Sequence, residues 1–516
     1  MARVVGLVES SLEPVSVARI DPATGILRER GHPLDGRLLA GKVLAFPGGK
    51  GSSSGSYVLL NLARRGLAPC AIAVQKADAV LVAGAVLSGI PLLQGVDPRS
   101  LRQGERFAID DDTASPPAGM ALDEAQCVAL DGNRGRAQQL AMRILVAAGE
   151  ACGADALIPV ASAHVGLSLA SLGEAGVELL ESLAAEGARF AVPATTNVLS
   201  FERGDDASAE ARLQRRALDA LLALGASPNC SCNPFVQGFG PRRGETVAWS
   251  ESATAPFVNG VLGARTNREG ATSLASALAG LTPRYGMHLD RERAAGPLYR
   301  VEARLDSLAR YHLLGAAVGR RCGGAVPALA GLRGPVSRDA LYGFSAALAA
   351  HSTAAMFHAA GITPEATDLA TLYPCGVPEA VVIGEAELAA EQARWAGDGS
   401  PPDFVVIGCP HASLEQLEEV ADMVSGATVR PGTAFLLHTN REMKEAAART
   451  GALTALTRAG VRVTSDTCAY VSLESYAPGA RVLTDSAKMA FLMATRGLRP
   501  EVAGLRECVY AALRSS

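Results

Sequence analysis

The side chains with the widest chemical reach in this chain are its thiols. Ten cysteines occur: Cys70, Cys127, Cys152, Cys230, Cys232, Cys322, Cys375, Cys409, Cys468 and Cys508. None of them forms a CxxC pair, so the spacing of a common closed zinc site is missing. Most free cysteines are simply small buried apolar residues, so position must single out any that do chemistry. Three segments stand out: Asn229-Cys-Ser-Cys232-Asn-Pro-Phe235, Gly408-Cys-Pro-His411 and Ser465-Asp-Thr-Cys468. Three thiolates around iron leave a coordination position open, which suits a centre used as a Lewis acid. Soft thiolates also favour iron–sulfur over a hard cation. Cys230 and Cys232 stand two residues apart, and one of the two is expected to serve a given site.

A second candidate is the loop Gly48-Gly-Lys50-Gly-Ser52-Ser53-Ser54-Gly-Ser56. Its glycines let backbone approach a ligand, and the first amides of the helix that follows attract an anion. It lacks the ending and spacing of a Walker loop. Ser52, Ser53 and Ser54 are chemically equivalent. Each can cap the helix, and each can act as an alkoxide base where amides and Lys50 offset the charge.

The elements that must position these groups read as α/β. Val43–Phe46 is a strand feeding the loop, Tyr57–Arg64 a helix stopped by Gly66, and Ala71–Val74 and Ala79–Ala83 further strands. The acid-, Ser-, Pro- and Gly-containing stretch Asp110–Gly119 reads as a linker, dividing a unit at 1–115 from a unit at 119–516. The larger unit opens with a helix over Arg134–Cys152. Near its end, strands at Phe404–Ile407, Ala434–Leu437, Val461–Val463 and Val482–Leu483 alternate with helices at about Ser413–Val424 and Arg441–Ala459. Alternation of this kind implies a parallel sheet. Cys409, His438, Cys468 and Ser486 each follow a strand, so they fall along one edge, where open α/β sheets place their sites. The Ala-rich stretch Ala340–Pro364, with His351 and His358, reads as a core helix rather than a membrane span.

Bulk composition narrows the partners. The 516 residues carry a net charge of −4 and 19% charged side chains, with no long basic run. A nucleic acid is therefore not expected as partner. The N-terminal apolar stretch is short and interrupted by Glu9, unlike a signal peptide. The expectation is a soluble cytoplasmic protein acting on a small molecule, with its oligomeric state left open.

Both units resemble the aconitase X family. The small unit is similar to its swivelling domain through Gly49-Lys-Gly-Ser52-Ser-Ser-Gly-Ser-Tyr-Val58. The large unit resembles its catalytic region through Leu157–His164, Ala248-Trp-Ser-Glu251-Ser, Asn259–Glu269, Thr282–His288, Gly361–Ala366, Gly408–His411 and Ser465–Cys468. The resemblance implies an α/β fold in which a small swivelling β/α domain precedes a large aconitase-like catalytic region of parallel-sheet α/β domains. It implies that Cys232, Cys409 and Cys468 ligate an iron–sulfur centre. Cys232 is chosen because it stands in the family's Cys-x-Pro-aromatic position. A [2Fe–2S] cluster is expected, with [4Fe–4S] and mononuclear iron left open.

The same resemblance makes Ser52, which follows Gly51, the base. Classic aconitases continue that run with Arg, where this chain has Ser54. The substrate carboxylate must therefore be held by Lys50, Arg265, Lys488 or the amides near Ser486. Ser53, Ser54, Ser162, His164, Thr195, Glu251 and His288 are the other expected substrate contacts, with Asn197 in reach. The plainer readings are an ion pair between Glu251 and Arg265 and a core role for His164. The implied reaction is β-elimination of water from a small hydroxy acid. Fused bacterial members resemble enzymes that convert cis-3-hydroxy-L-proline to Δ1-pyrroline-2-carboxylate. Archaeal relatives dehydrate phosphorylated mevalonate. A non-catalytic iron–sulfur redox or iron-sensing protein would need neither the serine loop nor the small domain, which is expected to close as a lid.

Overall fold

The computed structural model describes residues 3–50, 54–110, 120–205, 207–472 and 476–513. Among these, four larger sheets follow one another along the chain, interleaved with helices. The protein is thus α/β, as the strand–helix alternation implies. The first sheet has the order Leu92–Gln94, Ala71–Lys76, Lys42–Gly48, Arg3–Ser10 and Arg106–Asp110. Its first four strands are parallel, and Arg106–Asp110 closes the edge antiparallel to Arg3–Ser10. Of the expected linker, 111–119 lies outside the described residues.

One element of this unit departs from the sequence reading. Ala79–Ala83 is not a strand; it begins the helix Ala79–Ser88. The Asp78 carboxylate accepts from Leu81 N at 2.8 Å and caps the start, and Gly89 at φ 69° ends it. The helix is buried along much of its length, so its sequence shows neither strand alternation nor an amphipathic stripe. Gly84 permits the packing, because a Cβ there would lie 2.9 Å from Ser56 Cα on the neighbouring helix Gly55–Arg64.

The rest of the described chain forms three parallel sheets and one two-stranded antiparallel pair, Leu157–Pro159 with Leu281–Pro283. Val247–Trp249, Ser162–Val165, Ala194–Thr196 and Ala226–Ser227 make one. His358–Ala359, Ala328–Ala330, Leu298–Val301 and Val381–Ile383 make the next. Val461–Ser465, Ala434–Thr439, Phe404–Ala412, Arg481–Thr484 and Arg499–Val502 make the last. The Ala-rich stretch is a core helix over Arg338–His351, but His358 lies beyond it on a strand. The expected helix Arg441–Ala459 is two, Arg441–Thr450 and Ala452–Ala459, broken at Gly451 with φ 85°. No helix among the described residues is long and apolar enough to cross a membrane.

The small unit is docked on the large one through a buried polar contact. The helix Leu169–Ala185 kinks at Gly173, with φ 59° and ψ −177°. That kink frees backbone groups that would otherwise bond along the helix. Asn61 Nδ2 donates to Leu172 O at 2.7 Å, and Asn61 Oδ1 accepts from Ala175 N at 3.1 Å. Glycine is required at 173, because a Cβ would lie 2.4 Å from Asn61 Oδ1. Asn61→Ala should therefore leave two buried backbone groups unpaired, each costing about 1–3 kcal/mol. A denaturant titration would register this as a lower midpoint; an unchanged midpoint would show that the contact carries no weight.

Candidate active site

Two sheet edges face each other, and the polar strand-end residues gather between them. Beyond the first parallel sheet of the large unit, Glu251 follows Val247–Trp249, Asn197 follows Ala194–Thr196, and Cys230 and Cys232 follow Ala226–Ser227. Beyond the last sheet, Cys409 lies within Phe404–Ala412, Cys468 follows Val461–Ser465, and Ser486 and Lys488 follow Arg481–Thr484. Leu199 and Thr467 form an isolated parallel bridge between the two edges, with Leu199 N donating to Asp466 O at 2.8 Å. Asp466 sits at φ 65°, and its carboxylate accepts an ion pair from Arg441 and a longer one from Arg203 at 3.7 Å.

Lys488 is the electrostatic centre of this gathering. Ser486 caps the helix Ala487–Thr495 by accepting from Met489 N at 3.2 Å, which places Lys488 in the first turn. Its Nζ lies 3.6 Å from Glu251 Oε1. Glu251 Oε2 accepts from Asn197 Nδ2 at 2.7 Å, and Oε1 accepts from Ala253 N at 3.1 Å. Burial would raise the Glu251 carboxyl, but Lys488, Asn197 and the Ala253 amide hold it below its usual value. Burial likewise works against the Lys488 ammonium, while Glu251, Cys409, Cys232 and Cys468 hold its proton on.

The three thiols that act on Lys488 are Cys409, Cys232 and Cys468. Burial pushes Cys232 up to about 11 and Cys409 up to about 12, with Lys488 opposing both, and burial raises Cys468 as well. The Tyr342 hydroxyl donates to Cys232 Sγ at 3.5 Å. Cys230 turns away into the hydrophobic core at φ 47°, where its N donates to Thr196 Oγ1 at 3.1 Å.

His164 stands at the edge of the same region. Its ring stacks on Trp249 with centroids 4.6 Å apart, and Nδ1 lies 2.8 Å from Thr195 Oγ1. Burial drives it down to about 4, against the pull of Glu251, so the ring is neutral. Its buried Nε2 makes no hydrogen bond of ordinary length, and Asn197 is the polar influence on the ring besides Glu251.

Other candidates lie apart or are differently engaged. Ser162 begins its strand, at the end away from the edge. Arg265 does not pair with Glu251; it pairs with Asp290 and donates to His288 O at 3.0 Å. The reason is reach: Arg265 bridges to Thr246, ahead of the strand that leads to Glu251. His288 is buried with both ring nitrogens unpartnered, and burial, with Arg265 and Arg293, lowers it to about 4. Lys50 pairs with Glu29 at 2.7 Å. Ser54 directly precedes the helix Gly55–Arg64, while Ser52 and Ser53 lie outside the described residues.

Sequence reasoning missed Tyr342, Asp78 and Arg268. Arg268 donates through Nη1 to Ser352 O at 2.7 Å and through Nη2 to Ala349 O at 3.1 Å. Burial lowers its guanidinium to about 10, with Glu251 and Asp78 pulling the other way. Only its place in Asn259–Glu269 marked it; Tyr342, on the Ala-rich helix, carried no signal.

The donor set has the chemistry to hold a soft metal centre: two buried thiols, Cys232 and Cys409, and a half-buried one, Cys468, each at or near a strand end. Among the described residues, no three His, Cys, Asp or Glu side chains are gathered as around a single metal ion. A cluster distributes its thiolates over more than one iron.

Known proteins match this chain along nearly its whole length. Four family models match in order: the aconitase X swivel domain over 3–115, first domain over 119–291, second domain over 295–393 and third domain over 402–514. A cis-3-hydroxy-L-proline dehydratase of Pseudomonas aeruginosa is 35% identical, across 96% of this chain and 92% of its own length. The phosphomevalonate dehydratase large subunit of Thermococcus kodakarensis is 34% identical, across 73% of this chain and 96% of its own. The crystal structure of Thermococcus kodakaraensis aconitase X in its holo-form has a TM-score of 0.69 at 32% identity, covering 76% of this chain and 100% of that one. On these matches, the chain belongs to the aconitase X family of dehydratases.

Proposed function

We propose that this protein removes water from cis-3-hydroxy-L-proline to give Δ1-pyrroline-2-carboxylate, with Ser52 as base and Cys232, Cys409 and Cys468 as ligands of a [2Fe–2S] cluster. The observation that carries the reading is the pairing of Glu251 with Lys488 beside the three cysteine-bearing segments, which His411 holds together. Similarity to the Pseudomonas aeruginosa enzyme across nearly the full chain supports the substrate. So does the charge of the site. Lys488 and Glu251 present one cation and one anion, both half-buried, complementary to the carboxylate and ammonium of an amino acid. Phosphomevalonate, the substrate named for the Thermococcus large subunit, would call for added cations. Free thiols of this number suit a reducing, cytoplasmic setting.

The bound cluster would supply Lewis acidity toward the leaving hydroxyl. The chain's own residues supply the rest. Ser52 takes the α-proton, its alkoxide stabilised by loop amides and the start of the helix Gly55–Arg64. Gly49 allows that loop to lie against Asp78, since a Cβ there would be 2.1 Å from Asp78 Oδ2. Lys488 orients the substrate carboxylate and Glu251 its ammonium. The buried Nε2 of His164 is placed to hydrogen-bond the substrate. Loss of the α-proton and of the β-hydroxyl, which leaves as water, gives an enamine whose tautomer is Δ1-pyrroline-2-carboxylate. Thr195 fixes the His164 ring rather than meeting substrate.

Turnover of hydroxyproline isomers and of phosphomevalonate by anaerobically purified protein tests the reading. The cis-3-hydroxy-L isomer should be the preferred substrate; preference for phosphomevalonate would replace it. Cys232→Ala, Cys409→Ala and Cys468→Ala should each abolish visible iron–sulfur absorption and activity, whereas Cys230→Ala should keep most of both. Ser52→Ala should keep the absorption and lose about 10²–10⁴-fold in rate. Near-normal turnover would remove Ser52 as base. Lys488→Met should slow alkylation of Cys232 and Cys409 in metal-free protein, by about tenfold for each unit their pKa rises. Peptide mass spectrometry would read this, and unchanged labelling would remove Lys488 as the governing charge.

A further inference from the structure

The three cysteine loops are tied together behind the thiols by one buried imidazole. His411 follows Cys409 by two residues, and its side chain is almost fully buried. Its Nε2 lies 2.9 Å from the carbonyl oxygen of Thr467, the residue before Cys468. Its Nδ1 lies 3.0 Å from Oγ of Ser231, the residue before Cys232. Its own carbonyl accepts from Asn233 Nδ2 at 3.3 Å, on the residue after Cys232. Ser231 Oγ is also 2.6 Å from Asn233 Oδ1. Ser231, Asn233, His411 and Thr467 are all buried.

A single ring therefore touches a neighbour of Cys232 and a neighbour of Cys468, while its own chain carries Cys409. A carbonyl only accepts, so Nε2–H donates to Thr467. Nδ1 then faces the Ser231 hydroxyl from the ring's other side. Two divergent nitrogens at a fixed spacing are what imidazole offers and an aliphatic side chain lacks. Without them, the Cys232 loop belongs to one sheet and the Cys409 and Cys468 segments to another, and among the described residues the Leu199–Thr467 bridge is the isolated backbone pairing between the two.

We infer that His411 is a positioning residue that fixes the Cys232 and Cys468 loops against Cys409 through Ser231 and Thr467. The inference rests on the proposed role of these cysteines as metal ligands. Partners that orient ligands from outside the coordination shell are worth about 10–100-fold in metal affinity.

The test compares wild type with His411→Ala, His411→Gln and Ser231→Ala, each purified anaerobically as the full chain. Iron and sulfide content, loss of iron to a chelator, the reduced-state electron paramagnetic resonance spectrum and thermal unfolding are measured together. His411→Ala should lose iron about 10–100-fold faster than wild type and show an altered resonance spectrum. Glutamine retains a terminal N–H able to reach Thr467, so His411→Gln should recover part of the retention. Ser231→Ala removes one contact without emptying the ring's place and should show a smaller shift of the same kind, even if His411→Ala fails to fold. Wild-type iron retention and spectra in both Ser231→Ala and His411→Gln, with His411→Ala either matching them or differing only in unfolding temperature, would overturn the inference. Absence of iron–sulfur absorption from wild type itself would overturn the ligand reading and this inference with it.

Discussion

A buried ammonium is costly unless anions and hydrogen-bond acceptors surround it. Lys488 meets that constraint with Glu251, 3.6 Å from its Nζ. Satisfying it brings a carboxylate from one sheet edge against a cation from the other. Glu251 is itself held by Asn197 and the Ala253 amide, so the ion pair is not an isolated contact but the end of a hydrogen-bonded arm. Removing either partner would leave the other charged and buried, the case in which buried pairs matter most.

The same requirement explains why the two sheets meet at their strand ends. A parallel sheet turns its loops toward one edge, and here two such edges are apposed with few regular backbone bonds between them. Charge and side-chain hydrogen bonds do the joining. Asp466, at a left-handed backbone position, accepts from Arg441 and lies near Arg203, while Glu202 bonds Lys444 and the Ser465 hydroxyl and amide. These contacts flank Cys468 on its N-terminal side. Burial of such a network specifies one docking geometry, because a shifted register would strand charges without partners.

The positions of Cys409, Cys468 and Ser486 were legible because each follows a short run rich in Val, Ile and Leu, with a helix after Cys409 and Ser486. Ala79–Ser88 was not, because a helix covered on several faces has no polar stripe, and its Asp78 cap and Gly89 stop are weak signals in isolation. The split at Gly451 was missed for the opposite reason: both halves are strongly amphipathic, and one glycine in a helical pattern is tolerated often enough to be ignored. Among cations the difficulty was spatial. Arg265 and Arg268 sit three residues apart in one motif, yet Arg265 turns outward to Asp290 while Arg268 is drawn inward by carbonyls of the helix Arg338–His351 and its end. Sequence spacing carries no information about which of two neighbouring arginines finds carbonyl partners.

Arg268 also shows how the serine loop is coupled to the site. Burial pushes the Asp78 carboxyl up, the Leu81 and Val80 amides oppose that, and Arg268 adds its own opposing charge. Asp78 in turn lies against Gly49, at the root of the loop. The guanidinium, even lowered to about 10, stays charged at neutral pH, and it acts on Glu251 as well. A chain of alternating charge thus runs from Asp78 in the small unit through Arg268 and Glu251 to Lys488. Arg268 is fixed to the large unit by two backbone carbonyls, so Asp78 is attracted to a stationary partner rather than to a mobile surface charge. The effect of burial on the small unit's Asp78 is therefore opposed by the same guanidinium that acts on Glu251.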